Sequence, residues 1–283
     1  TRRSSDLVAR TLLAKIYAEK PLRDYTKVIQ YCDEVKADGF DLVDDFSDLF
    51  GMNAAGTDAK MRNTKESILE AQFTSGAGNW CTWMFGRDLV NWNNNFTWAK
   101  WVTPSRDLIS AFKQEGDEVR FKEEIVYYDC NWSNYYPSDN YPFMYKCRSA
   151  NSSIIKYRYA DVLLLKAEAL IMQDTPDLEG AADIIDKVRD RAKLGALPTS
   201  VRSNKNAMLN ALLKERRLEL AFEGQRWFDL VRLDKVEEVM NAVYAKDSGR
   251  KAQIYTFDKN SYRLPIPQSV IDANDKIHQN PGY

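Results

Sequence analysis

The feature that most constrains the fold is a pair of amphipathic helices that occurs twice in the chain. Apolar residues recur at helical spacing over Asp6–Glu19 and Tyr25–Ala37, with Pro21 between the two segments. The same spacing returns over Tyr159–Met172 and Leu178–Ala192. Apolar residues three and four positions apart share one face of a helix, and each helix must bury that face against a neighbour. The pattern predicts two packed helix pairs that are distant in sequence.

The two pairs also resemble each other. Each is about 34 residues long, and a shift of 153 residues superimposes apolar or small residues. The matched positions are Ala14 with Ala167, Val28 with Ala181, Cys32 with Ile185 and Val35 with Val188. Helix pairs of fixed length are typical of tetratricopeptide-like repeats, which bury their apolar faces by stacking. Unrelated amphipathic helices would give a similar pattern, so that alternative stays open.

Weaker patterns predict additional helices and small β elements. Helical periodicity favours three further helices, at Ser105–Gln114, Lys205–Glu223 and Val236–Tyr244. Alternation favours a strand at Ser67–Phe73 and a hairpin that pairs Ile254–Phe257 with Tyr262–Ile266. The predicted fold class is mostly α, with tetratricopeptide-like helix pairs, a large irregular aromatic-rich loop insertion and minor β hairpins.

The insertion between the pairs is rich in aromatic residues and asparagine. Six of the seven tryptophans lie between residues 80 and 150. A flat indole ring packs against the apolar C–H face of a sugar ring, and amide, carboxylate and guanidinium groups pair with its hydroxyls. The candidate ring platforms are Trp80, Trp83, Trp92, Trp98, Trp132 and Tyr135, and the candidate hydroxyl partners are Arg87, Asp88 and Asn93. The pattern predicts a glycan-binding site, unless the aromatics are core residues or dock a protein partner.

Charge and hydropathy exclude two classes of protein. The chain carries 40 basic and 41 acidic residues, and residues 73–150 carry eight basic and nine acidic ones. Proteins that stack nucleic-acid bases on aromatic rings also need a positive groove, so no nucleic-acid partner is predicted. The longest apolar runs are about four residues. A membrane-spanning helix needs about 20 apolar residues.

A second constellation places charged residues on apolar helix faces within Lys214–Arg232. Arg216 and Glu223 share a stripe with leucines, and a buried charge must be paired. Asp161 and Glu168, in an earlier helix, are candidate partners for Arg216, Arg217 or Arg226. The predicted structural ion network consists of Asp161, Glu168, Arg216, Glu219, Glu223 and Arg226.

The same segment has an alternative interpretation as the acid/base pair of a glycosidase. Glu215 and Glu219 lie four residues apart, which on a helix separates their carboxylates by about 5–6 Å. Retaining glycosidases use a separation of about 5–5.5 Å. The surrounding arginines favour ionised carboxylates, whereas a general acid needs a raised pKa. The preferred interpretation is structural, and no enzymatic activity is predicted.

Metal and cofactor sites are not predicted. The chain has one histidine, His278, and neither CxxC nor HExxH spacing occurs. The four cysteines are Cys32, Cys81, Cys130 and Cys147. Cys130 and Cys147 flank one loop and could pair outside the cytosol, although free thiols are the default expectation.

Several segments together resemble a known family. They are TLLAKIYAEKPLRDYTKVIQYCDEVKADGFDLV from Thr11, ESILEAQF from Glu66, TPSRDLISAFKQEGDEVR from Thr103, KYRYADVLLLKAEAL from Lys156, ERRLELAFEGQRWFDLVR from Glu215, RLPIPQSVI from Arg263 and QNPGY from Gln279. In this order they resemble the SusD/RagB family of glycan-binding outer-membrane lipoproteins of the Bacteroidetes. The resemblance covers nearly the whole chain and is most specific in its C-terminal half.

The resemblance implies a function and a domain plan. It implies a single SusD-like domain over residues 1–283, with a first helix pair in 1–50, a loop-rich ligand region in 66–155, helix pairs in 156–245 and a C-terminal hairpin and tail in 246–283. It implies binding of oligosaccharide or polysaccharide at the cell surface and delivery to a TonB-dependent, SusC-like transporter, without catalysis. The alternative is a protein-interaction scaffold of the uptake complex that binds peptide or no sugar.

One departure from the family concerns the N-terminus. Family members begin with a lipoprotein signal, a lipid-bearing cysteine and further repeat helices, whereas Thr1–Ser4 leads directly into a helical pattern without an apolar signal region. The chain is therefore expected to correspond to the latter part of a family member, with its outer-membrane lipid anchor outside this sequence. Some members bind calcium, but no compact ligand loop is evident here.

Overall fold

The computed structural model describes residues 2–74, 78–81, 102–130, 136–246 and 256–283. Its helices are α1 (Arg2–Ala18), α2 (Tyr25–Ala37), α3 (Ser47–Phe50), α4 (Arg106–Glu115), α5 (Glu118–Glu124), α6 (Tyr159–Met172), α7 (Leu178–Arg191), α8 (Thr199–Arg202), α9 (Lys205–Glu219), α10 (Arg226–Arg232), α11 (Val236–Lys246) and α12 (Gln268–Asp272). Its strands are β1 (Ser67–Ala71), β2 (Ile125–Tyr128), β3 (Tyr141–Met144) and β4 (Ile154–Arg158). The mostly α fold class is confirmed.

The two predicted helix pairs pack into one core. Helix α1 packs on α2, α6 packs on α7, and α2 also packs on α6, so the pairs stack. Eleven of the 14 residues of α6 are buried. A helix that is apolar on all sides belongs in the centre of a helical layer. Small buried residues such as Ala14, Ala167 and Ala181 let the helices approach closely.

Side-chain caps explain where several helices begin. Asp24 accepts a hydrogen bond from the backbone N–H of Lys27 at the start of α2, and Asp177 accepts one from Gly180 at the start of α7. Asn204 caps α9 in the same way. Each cap satisfies a backbone donor that has no partner within the helix.

Helix α9 ends earlier than the periodicity predicts. The prediction extended it to Glu223, but the helix stops at Glu219. Phe222 and Gly224 have backbone φ angles of 64° and 75°, and a left-handed residue cannot continue a right-handed helix. Lys146 and Arg158 both donate to the Glu219 carbonyl. The long-range contacts therefore replace the next helical turn.

Two small antiparallel sheets flank the helices. Strand β1 pairs with β4, with Ser67 opposite Arg158, and β2 pairs with β3, with Ile125 opposite Met144. The strand predicted at Ser67–Phe73 is present but ends at Ala71. The region 66–155, expected to be loop-rich, also holds α4, α5, β1, β2, β3 and the start of β4.

The chain divides into two compact units, one up to Gly224 and the other over Gln225–Tyr283. In the second unit the Phe257 ring lies 5.2 Å from that of Tyr244 and 6.3 Å from that of Trp227. The Asn241 side chain both donates to and accepts from the Phe257 backbone. The single domain expected over residues 1–283 stays a prediction.

The predicted C-terminal hairpin is wrong for the residues that the structure describes. Tyr262 belongs to a 3-10 turn, Lys259–Tyr262, whose start is capped by Asp258. No strand follows in residues 263–266. The Gln279 amide instead accepts from the Ile266 N–H at 2.8 Å and donates to its carbonyl at 2.9 Å. A side chain therefore makes the hydrogen bonds that a partner strand would have made.

No helix in the described parts of the chain is both long and apolar enough to cross a lipid bilayer.

Candidate functional site

Of the nine residues predicted for the ligand site, the structure describes one, Trp80. Trp80 lies within the described tetrapeptide 78–81, and its relative exposure is 71%. The other eight candidates lie outside the described residues: Trp83, Arg87, Asp88, Trp92, Asn93, Trp98, Trp132 and Tyr135. An exposed ring of this size is the type of surface on which a sugar can stack.

The residue before Trp80 holds this tetrapeptide in place. Asn79 is buried, and its Nδ2 lies 3.2, 3.0 and 2.7 Å from the carbonyl oxygens of Ser149, Ala150 and Ser152. Its backbone N–H donates to the Ala150 carbonyl at 2.8 Å. Its Oδ1 accepts from the Cys81 N–H at 3.0 Å. Asn79 therefore fixes the backbone on both sides of Trp80, and we name it the Asn79 anchor.

Arg62 joins the neighbouring loops to the same surface. Its guanidinium donates to the Phe73 carbonyl at 2.6 Å, the Asn151 carbonyl at 3.1 Å and Ser153 Oγ at 2.7 Å. It also pairs with Asp58. One planar cation with five donors thus links three chain segments. This arrangement supports the 149–153 loop, on which the Asn79 anchor depends.

Part of the aromatic insertion is core rather than surface. Tyr141 and Phe143 are buried with Cys130 in a small cluster. The Tyr136 hydroxyl donates to the Pro104 carbonyl at 2.6 Å. The alternative interpretation of the aromatics as core or loop-pinning residues therefore applies to these positions. Trp80 is exposed and differs from them.

A buried cluster of charged residues is centred on Glu219. Its carboxylate accepts from Arg158, Arg191 and Arg120. Although burial raises the Glu219 pKa, the charges of the three arginines outweigh it and hold the pKa well below its ordinary value. Sequence reasoning predicted Glu219 but missed the three arginines, because each is distant in sequence.

Glu66 and Glu223 extend the cluster on two sides. Glu66 accepts from Arg158 at 2.8 Å, from Arg191 at 2.5 Å and from the Val43 N–H at 3.0 Å. Glu223 lies 2.6 Å from Lys146 and 2.7 Å from Arg158. A buried ion pair is tolerated when further hydrogen bonds satisfy its donors and acceptors. Both acids meet that condition.

Glu215 also belongs to this cluster. It accepts from Arg120 at 2.6 Å, and the same arginine donates to Asp117 at 2.5 Å. Glu215 and Glu219 thus share one guanidinium, and both side chains are buried. A glycosidase would instead need one of these carboxyls protonated and both open to substrate.

Glu124 differs from the other acids of the cluster. Lys146 Nζ lies 3.0 Å from its Oε1, but both carboxyl oxygens lack an aligned hydrogen-bond donor among the described residues. Burial raises the pKa of Glu124 to about 8, against the opposing charge of Lys146. Burial therefore favours the protonated form of this carboxyl.

The ion pair predicted between Arg216 and Asp161 is present, whereas the one predicted for Arg217 is not. Arg216 donates to Asp161 at 2.8 Å, and Lys15 donates to the same carboxylate at 2.6 Å. Arg217 pairs with Asp107 at 2.6 Å rather than with either acid proposed for it. Of the remaining members, Glu168 is buried and Arg226 is half-buried.

Within the described residues, no group of three His, Cys, Asp or Glu side chains is arranged to hold a metal ion. The four cysteines are free thiols, including Cys130 and Cys147.

Comparison with known proteins decides the family. The model of the SusD family, SusD_RagB, matches residues 139–283. This chain belongs to the SusD family. The SusD match includes α6, α7 and α9 and therefore much of the buried charge cluster, whereas Trp80 lies outside it. The match supports the scaffold and transfers no role to Trp80.

Two curated SusD-like proteins of Formosa agariphila share sequence with the chain. SusD-like protein P38 is 42% identical over 99 residues, which cover 33% of this chain and 19% of that protein. SusD-like protein P2 is 35% identical over 143 residues, 48% of this chain and 27% of that protein. The aligned parts thus span little more than a quarter of these relatives at most.

Solved SusD structures share the fold. A SusD homolog from Bacteroides thetaiotaomicron superimposes with a TM-score of 0.72 at 20% identity, over 99% of this chain and 63% of that one. Surface glycan-binding protein A from the same organism, in complex with laminarihexaose, gives 0.71 at 19% identity over 97% and 63%. The chain therefore spans just under two thirds of the length of these SusD proteins.

Proposed function

We propose that this chain binds an oligosaccharide or polysaccharide through the aromatic residues of its 66–155 region. The observation that carries the proposal is Trp80, a ring that is 71% exposed on a backbone fixed by the Asn79 anchor. The eight candidates outside the described residues remain part of the proposed site.

The physical argument is preorganisation. Tryptophan has only two side-chain torsions, so stacking a sugar on its ring freezes little conformational freedom. The Asn79 anchor holds the adjoining backbone before ligand arrives. At Trp80, binding then costs little ordering of the backbone, and the apolar contact with the sugar ring contributes directly to affinity. Polar side chains around the ring would select among sugars by their hydroxyl positions.

Two structural relatives that bind glycans support the proposed ligand class. One is a surface glycan-binding protein in complex with laminarihexaose, and another is a laminarin-binding SusD-like protein. These ligands belong to those proteins, which are 19% and 23% identical to this chain. Laminarin is nevertheless the reasonable first polysaccharide to test.

The proposed function is non-catalytic. The carboxylates considered for glycoside hydrolysis, Glu215 and Glu219, are buried and held by Arg120, and the Glu219 pKa lies far below the range of a general acid. Incubation with laminarin should release no reducing sugar. Release that disappears in a Glu215→Gln variant would overturn this part of the proposal.

The proposed setting is the outer face of the outer membrane, through an N-terminal lipid anchor outside this sequence. There the protein would deliver glycan to a TonB-dependent, SusC-like transporter. The support is the SusD family membership. Co-purification of a co-expressed SusC-like transporter with a lipidated longer chain would test this setting separately from sugar binding.

Glycan binding is tested by calorimetric titration of laminarin and a panel of other polysaccharides into the chain and into Trp80→Ala. We expect saturable binding to one polymer and at least a roughly tenfold loss of affinity in Trp80→Ala, because a central aromatic contact dominates such interfaces. The matched control is Phe228→Ala, since Phe228 is an exposed aromatic residue (60%) in the second unit. The glycan affinity of Phe228→Ala should equal that of the unmutated chain.

Two outcomes would contradict the proposal. Equal affinity in Trp80→Ala and the unmutated chain would remove Trp80 from the site. No binding to any polymer, with both proteins folded, would favour the scaffold interpretation, in which the chain binds peptide or no sugar.

A further inference from the structure

Two cysteines that are distant in sequence meet at the Asn79 anchor. Asn79 Oδ1 lies 3.4 Å from Cys147 Sγ and accepts from the Cys81 N–H at 3.0 Å. The two cysteine side chains also interact electrostatically. One carboxamide oxygen therefore brings the Cys81 backbone and the Cys147 thiol together.

The other two cysteines have different surroundings. Cys32 is buried in the helix core, and burial raises its thiol pKa. Cys130 is buried beside Tyr141 and Phe143, and its N–H donates to the Ser138 carbonyl. The structure therefore brings Cys81 next to Cys147.

The two thiols at the anchor are suited to unequal roles. Cys81 is half-buried, and its interaction with Cys147 lowers its pKa. Cys147 is buried, and the same interaction, with burial, raises its pKa. A thiolate is the attacking species in thiol–disulfide exchange, and access decides which thiol reacts first. Cys81 has both the access and the lower pKa.

We propose that Cys81 and Cys147 form a disulfide when the chain meets a disulfide donor. The Cys81 thiolate attacks one sulfur of the donor, which breaks the donor S–S bond, forms a mixed disulfide and releases one donor thiol. Cys147 then loses its proton and attacks Cys81 Sγ, which forms the protein disulfide and releases the second donor thiol. Two protein thiols lose two electrons, and the donor leaves as two thiols that carry the two protons.

The bond would reinforce a contact that is already present. It would join the residue after Trp80 to the loop that follows β3, beside the carbonyls that Asn79 already engages. It would also close a loop of 65 intervening residues, which contains α4, α5, β2 and β3. Closing a loop of this length restricts the unfolded chain and so stabilises the folded one.

The experiment maps disulfides in the unmutated chain. The folded protein is incubated with oxidised glutathione, alkylated in denaturant, digested and analysed by mass spectrometry. We expect the free thiols to fall from four to two and a cross-linked peptide pair to contain Cys81 and Cys147. The oxidised protein should melt about 5 °C or more above the reduced protein.

Cysteine variants identify the pair. Cys130→Ser should still lose two thiols and gain the thermal shift, whereas Cys81→Ser and Cys147→Ser should do neither. Four remaining thiols, or a cross-link between Cys130 and Cys147, would overturn the proposal. Because the mapping needs no substitution, a variant that failed to fold would leave the result intact. Glycan binding enters none of these measurements, so the proposal stands or falls independently of the proposed function.

Discussion

Arg158 donates to both the Glu219 carboxylate and the Glu219 main-chain carbonyl. A single guanidinium thus neutralises a buried acid and satisfies a carbonyl at the end of α9. The chain turns away at this point, through Phe222 and Gly224, both with positive φ. A residue at the end of β4 thus helps to end a helix that lies about 60 residues later in the chain.

The first prediction concerns Arg158 itself. Arg158→Met should reduce the free energy of unfolding by about 3–5 kcal/mol, because it leaves buried Glu66 and Glu219 with fewer cationic partners. Urea unfolding followed by circular dichroism measures the change. The matched control is Arg10→Met, which removes the exposed pairs with Glu34 and Asp38 and should cost less than about 1 kcal/mol. Similar losses in both variants would contradict the cluster's structural role.

The second prediction concerns pH. Glu124 has a folded-state pKa of about 8, above its ordinary value of 4.5. The folded state binds the Glu124 proton more tightly than the unfolded state does. The stabilisation that results is complete below pH 4.5 and is lost as pH rises through about 8. Over this window one proton gives a slope of up to about 1.4 kcal/mol per pH unit.

Glu124→Gln removes this titration while keeping the shape of the side chain. The variant should gain stability relative to the unmutated chain as pH rises from about 5 to about 8. Glu118→Gln, at an exposed position on the same short helix, is the matched control because it removes a carboxylate that is not buried. Parallel profiles for Glu124→Gln and the unmutated chain, measured by urea unfolding, would refute the raised pKa.

The third prediction concerns the turn after α9. Gly224 has a φ of 75°, and a Cβ added to it would meet no described atom within 4 Å, so only backbone strain opposes a side chain. Gly224→Ala should destabilise the protein by about 1 kcal/mol. Gly195 has equally open surroundings among the described residues but no positive φ, and Gly195→Ala should be neutral or slightly stabilising. Thermal denaturation compares the two, and equal melting temperatures would show that the turn tolerates a left-handed alanine.

The fourth prediction concerns the Asn79 anchor. Asn79→Ala removes the side-chain contacts to Ser149, Ala150 and Ser152, so it should cost about 1–3 kcal/mol of stability. If the proposed function holds, glycan affinity should also fall although Asn79 is buried, because the Trp80 backbone loses its support. The control is Asn140→Ala, at an exposed position. Calorimetric titration that shows unchanged affinity in Asn79→Ala would separate the anchor from the site.

Local pattern was sufficient for three of the four paired helices, whereas α1 begins at Arg2 rather than at the predicted Asp6. The bounds of α6 and α2 were predicted to the residue, and α7 ends one residue before its predicted end. Periodicity and capping residues lie within a few positions of each other, so they can be read without knowledge of the fold. The C-terminal hairpin failed for the opposite reason, since Gln279 supplies the hydrogen bonds of Ile266 from 13 residues away.

The candidate site was also predictable only in part from the sequence. The aromatic and asparagine content of the insertion indicated a binding region, but it did not separate exposed Trp80 from buried Tyr141. The sequence allowed Cys130 to pair with Cys147, because the two flank one loop, although free thiols were the default expectation. Which side chain faces solvent, and which thiol faces Cys147, depends on contacts between segments such as 78–81 and 149–152.

By itself, therefore, the sequence determined the helix pairs, the mostly α fold class and the family, because these depend on short-range spacing and on motifs that stay in order along the chain. Only the tertiary structure decided the end of α9, the pairing of Arg120, Arg158 and Arg191 with their acids, and the meeting of Cys81 with Cys147. Buried charges and thiols take their properties from neighbours in space. Those neighbours lie tens of residues away, where local periodicity carries no information.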